Sequence, residues 1–206
     1  MEGYLFYYIA WIAWIIVFFF FSDRKKRFVL SSVILLLIIC SQFYINILEF
    51  QWNLAYFVLL IATFFYLSKV VRSKYIYMYF ASTSISLVYV TFIIFEIFDP
   101  VFIFIGREWM LTFIVLYMCF MVFKEKEHRY IGMITGLLQG ELLSAFIIYS
   151  VFGYNIVAEL PFWEIVTLTI AGLSIWVFFE KTTAYFNSLI QKHLKQNRVS
   201  KTINTK

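Results

Sequence analysis

Gly132-Met133-Ile134-Thr135-Gly136-Leu137-Leu138-Gln139-Gly140-Glu141-Leu142-Leu143-Ser144 lies at the centre of an apolar run from Tyr130 to Phe152. Gly132, Gly136, Gly140 and Ser144 recur every fourth residue, so a helix gathers them into one narrow, nearly flat stripe. Gln139 and Glu141 flank Gly140, each about 100° round the helix from it. Glu141 has eleven residues of the run before it and eleven after it. The sequence places no other acid so deep in an apolar stretch.

The rest of the chain explains what solvent such a run meets. Of 206 residues, 63% are hydrophobic and 14% charged, against ~25% charged in an ordinary soluble domain. Mean hydropathy is +0.85. One soluble core could not hide that much apolar surface, so lipid has to be the solvent for much of it. The fold class expected is an all-α integral membrane protein. Phe (26) and Tyr (15) are abundant, which suits interfacial belts and helix packing in a multi-span bundle.

The apolar runs define seven spans, at about 4–21, 28–45, 53–68, 75–95, 103–123, 130–152 and 163–180. The third is short. The fourth carries Ser82, Thr83, Ser84 and Ser86 in its middle, and Glu96, Asp99 and Pro100 close it. The fifth is interrupted by Gly106, Arg107 and Glu108, so it starts either near Trp109 or earlier, with the two charges at the interface. Residues 1–181 form one transmembrane domain in this reading, and 182–206 a basic cytoplasmic tail. Phe186, Leu189, Ile190 and Leu194 give that tail a short amphipathic face able to lie on headgroups, and a polar, disordered stretch is expected from Arg198.

The net charge of +5 does not point to nucleic acid, because the charges sit in short blocks between apolar runs. With the N-terminus outside and the C-terminus inside, the cytoplasmic segments hold sixteen of the seventeen Lys and Arg. Arg107 is the exception. Glu2, Glu49, Glu96, Asp99, Glu108, Glu159 and Glu164 fall outside. Six or eight spans would break this alternation. Met1-Glu2-Gly3 carries no basic side chain, and Arg24-Lys25-Lys26-Arg27 follows the first apolar run. That order favours a first helix over a cleaved signal. Cys40 and Cys119 lie within apolar runs without CxxC spacing, which predicts buried free thiols.

An ionisable residue at mid-membrane is a functional hypothesis by default. Glu141 is expected to be neutral, or else paired and hydrogen-bonded. Polar groups at matching depth are Gln139 on the same helix, Ser84 and Ser86 on the fourth span, and Thr169 and Ser174, with Gly172, on the seventh. The expectation is a small polar cluster between spans four, six and seven, and for one isolated carboxyl a structural role ranks ahead of proton transfer. For the glycine stripe, packing within the chain ranks ahead of a dimer seam. Arg107 and Glu108, with Glu96 and Asp99, read as solvated charges at the outer interface rather than a substrate site. His128 and His193 lack metal-ligand spacing. No catalytic residue, metal or cofactor is assigned, because no HExxH, phosphate loop or nucleophile elbow is present.

The opening Met1-Glu2-Gly3-Tyr4, the early Trp11-Ile12-Ala13-Trp14, the length, and the Gly136-Leu137-Leu138-Gln139-Gly140-Glu141 centre resemble the YphA-type membrane proteins of low-GC Gram-positive bacteria. The resemblance implies a multi-pass plasma-membrane protein and carries over no activity and no site residue. Three functions are then weighed. First comes a non-enzymatic binding or regulatory component of the envelope, partnered by the bilayer and by another membrane protein or a second copy. Second comes a small proton- or solute-coupled transporter using Glu141, its substrate unspecified. Third comes a lipid-active membrane enzyme.

Overall fold

Asp23 sets where the second helix begins. Its side chain accepts the backbone N–H groups of Lys25 and Lys26 at 3.1 and 3.4 Å, an ordinary N-cap. The basic cluster therefore forms the first turn of a helix, Arg24–Cys40 (α2), rather than a loop before a span at 28–45. Cations at a helix N-terminus oppose the macrodipole, so their placement answers to topology and not to helix stability.

The computed structural model of the chain describes residues 3–68 and 75–203. The basic residues Lys69, Arg72 and Lys74 of the third loop lie outside them. The other helices are α1 (Tyr4–Phe20), α3 (Leu54–Leu67), α4 (Tyr75–Phe98), α5 (Arg107–Val122), α6 (Lys126–Phe152) and α7 (Leu160–Ile203), with a 3₁₀ turn at Pro100–Phe102. Three segments, Tyr75–Phe98, His128–Phe152 and Leu160–Ser188, are long and apolar enough to cross a membrane; α1 and α3 are apolar but shorter. α3, with 14 residues, rises only about 21 Å.

Several expected boundaries move. α5 starts at Arg107, with Gly106 as its N-cap, so 103–106 are not helical and the two charges open the helix. α7 begins at Leu160 rather than 163 and continues to Ile203, through residues expected to be disordered. The residues group into two units, Met1–Ala171 and Gly172–Lys206. The division falls within α7, ahead of the 181/182 boundary read from the sequence.

Among the described residues, seven helices give the all-helical architecture expected, and one small sheet accompanies them. Residues Tyr44–Ile47 (β1) and Phe50–Asn53 (β2) form an antiparallel hairpin, and Ile156–Val157 (β3) adds to β2 in parallel. Tyr44-Ile45-Asn46-Ile47 and Phe50-Gln51-Trp52-Asn53 alternate apolar and polar residues with aromatic and β-branched side chains, a strand signal. Extending the second span to 45 hid it. The turn places Leu48 at φ 58°, a left-handed conformation that the hairpin requires and a leucine rarely adopts.

Within residues 3–171, the most extensive helix pairing is α4 against α6, and the glycine stripe explains why. A Cβ at Gly136 would lie 2.8 Å from the Ser82 carbonyl oxygen, and one at Gly140 would lie 2.9 Å from the Tyr89 ring. Only hydrogen in place of a side chain lets α4 come this close, backbone at Gly136 and the Tyr89 ring at Gly140. Gly132 faces the ring of Phe123, at the end of α5.

The sheet end of this unit is tied together by buried polar contacts. Asn53 caps α3 by accepting from Ala55 N at 3.0 Å and donates to the Ser41 carbonyl at 2.8 Å, joining the end of α2 to the start of α3. The Ser41 hydroxyl meets the Tyr7 hydroxyl of α1 at 3.1 Å. Gln51 N donates to the Asn155 carbonyl at 2.8 Å, fixing the sheet to the α6–α7 connection.

Candidate functional site

Glu141 faces α4 one residue beyond the close approach of Gly140 to Tyr89, and it is buried. Its two carboxyl oxygens have different partners. The Tyr89 hydroxyl donates to Oε2 at 2.6 Å, and the backbone N–H of Ala158 donates to Oε1 at 2.9 Å. Ala158 sits at φ 59°, in the left-handed region, just after β3. Its carbonyl accepts the Trp163 indole N–H at 3.0 Å. Both polar groups of this strained residue are thus held, one by α6 and one by the first turn of α7.

Aromatic rings surround the site on one side. Phe162 lies edge-on to Tyr89, with ring centroids 6.5 Å apart, and packs against Trp163 at 5.3 Å. Tyr56 of α3 donates to the Leu138 carbonyl at 3.0 Å, one turn before Glu141. Ser144 turns its hydroxyl onto the Glu141 carbonyl at 2.9 Å. A cavity of about 70 Å³ borders the carboxyl, and Tyr89, Arg107, Ser144, Tyr154 and Glu159 supply its polar lining.

This arrangement replaces the expected cluster of spans four, six and seven. Ser84 bonds back to the Phe80 carbonyl at 3.0 Å, and Thr169 to the Ile165 and Val166 carbonyls at 2.8 and 2.9 Å, each within its own helix. Ser86 is buried on α4, and its hydroxyl has no hydrogen-bond partner in the structure. Gln139 is half-buried on α6. Ser174 belongs to the second unit. Polarity and depth selected these serines and threonines, but a hydroxyl on a helix can satisfy itself on the preceding turn. Tyr89, counted with the aromatics, is the side chain that reaches the carboxyl.

A second buried carboxyl is one of the acids that the charge pattern assigns to the outside. Glu164 lies in α7, and one of its oxygens accepts the backbone N–H groups of Gly3 and Leu5 at 2.8 and 3.1 Å. It caps α1 from a distant part of the chain, satisfying donors that a helix start leaves open. Gly3 at φ 94° makes this possible: a Cβ there would lie 2.9 Å from Leu160 Cδ1.

Arg107 is not a solitary interfacial charge. Its Nε lies 3.0 Å from Glu96 Oε2, joining the start of α5 to the end of α4. Glu108 occupies the first turn of α5, a favourable place for an acid. Cys40 and Cys119 are free and buried. Among the described residues, no group of three or more His, Cys, Asp or Glu is placed to hold a metal ion.

No curated protein and no solved structure matches the chain. A family match covers residues 2–199, nearly its whole length. Together with the apolar helices and the glycine-packed α4–α6 pair, this identifies the chain as a member of the YphA-like integral membrane proteins.

Proposed function

We propose that the chain is a seven-span component of a bacterial plasma membrane, N-terminus outside and C-terminus inside, that binds or regulates a partner rather than catalysing a reaction. The observation that carries this reading is the occupation of Glu141. A transport carboxyl has to exchange its proton or ion with one side and then the other, leaving its partners each time. Here departure would uncover the buried Ala158 N–H and release the connection that holds β3 to β2. The carboxyl is a staple between α4, α6 and the α6–α7 connection. The threading is supported by the blocks of Lys and Arg that alternate with the apolar runs of the sequence.

The transporter reading has one observation in its favour: Glu141, Arg107 and Glu159 border a single cavity. Reconstitution separates the two. Wild type and Glu141→Gln in proteoliposomes should show the same basal proton flux under an imposed pH gradient. A wild-type flux that the Gln variant loses would overturn the binding reading. Reporter fusions test the threading: outside-active at Leu48, Phe104 and Asn155, inside-active at Asp23 and Glu125.

A further inference from the structure

Arg107 raises a question that topology leaves open. Positive-inside threading would exclude it from an outer face already rich in acids, yet it stands there between α4, α5 and α6. Beside it lies a cleft of about 540 Å³, lined by Ile93, Ile97, Ile148, Phe152 and the Glu96–Arg107 pair. This is within the usual size range for a small-molecule site, roughly 300–1,000 Å³. The cleft shares Ile93, Arg107 and Ile148 with the smaller cavity, where Glu159 and Tyr154 are found.

The walls and the charges describe one kind of occupant. Ile93 and Ile97 are four residues apart on α4, and Ile148 and Phe152 four apart on α6. Each pair makes an apolar strip of about 6 Å running along its helix, the direction in which an acyl chain lies in a bilayer. The polar end carries both signs: one guanidinium, with carboxylates at Glu96 and Glu159. A purely anionic headgroup would meet those carboxylates, and a purely cationic one would meet Arg107. A headgroup bearing phosphate and a primary amine satisfies both, since a guanidinium can bind phosphate through paired N–H groups and an ammonium donates to carboxylates.

We infer that the α4–α5–α6 cleft binds an amine-bearing zwitterionic phospholipid, its phosphate on Arg107, its ammonium at Glu159 and Glu96, and one acyl chain running inward from Ile97 and Phe152 past Ile93 and Ile148. The inference rests on the reading that this end of the helices lies at a membrane interface. It does not depend on which leaflet that is.

The test uses the full chain in mixed vesicles and a phosphatidylethanolamine with a photoreactive diazirine in its acyl chain. Labelled peptides should concentrate on the last two turns of α4 and α6, around Ile93 and Ile148. Phosphatidylglycerol and phosphatidylcholine probes of the same chain should label there about tenfold less, the worth of one charge-assisted hydrogen bond. Arg107→Gln should erase the preference for the amine-bearing lipid. Ile148→Trp should reduce labelling by filling the cleft. Equal labelling by the three lipids overturns the inference in wild-type protein, whatever the variants do. So does labelling spread evenly over the exposed faces of α1 and α3, or full competition by water-soluble phosphoethanolamine. Reporter fusions that reverse the threading would move the site to the other leaflet and leave the labelling pattern intact.

Discussion

Glu141 and Glu164 are both buried carboxyls, and each accepts at least two hydrogen bonds. They differ in what they hold. Glu164 puts one oxygen on two backbone donors at the start of α1, a helix end that no local side chain caps. Glu141 divides its oxygens between a side chain of α4 and the backbone of a left-handed residue near the start of α7. One closes a helix end; the other clamps α4 to the residue that follows β3, beside the packing of Phe162 on Tyr89. A carboxylate inside a membrane protein is therefore weak evidence of transport by itself. Its remaining acceptor capacity and its freedom to leave are the discriminating facts.

Removing the acceptor separates the two roles most strongly. Glu141→Leu leaves the Tyr89 hydroxyl and the Ala158 N–H buried without a partner, each costing on the order of 1–3 kcal/mol. We expect a loss of about 3 kcal/mol, read as a large fall in apparent melting temperature in detergent, with faster proteolysis at 156–158. Glu164→Ala should cost less, about 1–2 kcal/mol, the usual loss of a helix cap. Only the first turn of α1 should loosen, seen as faster amide exchange at Leu5 with protection at Ala158 unchanged. A reversal of that order would make Glu164 the principal clamp and Glu141 a replaceable contact.

The difference between these carboxyls also explains what was legible beforehand. Glu141 stood out because it interrupts an apolar run, and the stripe Gly132, Gly136, Gly140, Ser144 stood out because small residues at a four-residue period have one physical use. Glu164 did not, because at the edge of an apolar run an acid looks solvated; its partners are backbone N–H groups 161 and 159 residues away. Backbone donors have no letter in a sequence. The same holds for Ala158, an alanine at φ 59°. Tyr89 was visible but read for its ring, and its distance of 52 residues from Glu141 hid the pairing. The helix order was legible because hydropathy and charge alternate in blocks. The sheet was not, because its two four-residue strands were split between the end of the second span, drawn to 45, and the loop that follows it.

The smallest change gives the finest test. In Glu141→Gln the amide oxygen can still accept from Ala158, and the amide NH₂ can donate to the Tyr89 oxygen once that hydroxyl turns its proton to the polar cavity it lines. The staple survives with its geometry, so the cost should stay below about 1 kcal/mol. Carbodiimide should label wild-type Glu141 slowly, since both oxygens are engaged in a buried site. Tyr89→Phe should speed labelling by freeing Oε2 while leaving the bond to Ala158. If wild type instead labels as fast as Tyr89→Phe, the Tyr89 bond breaks readily in solution. The carboxyl would then be free to exchange protons through the cavity it borders, and transport would regain first place. Slow labelling that only the Phe variant relieves means that the acid is retained for the shape it imposes on the α6–α7 connection.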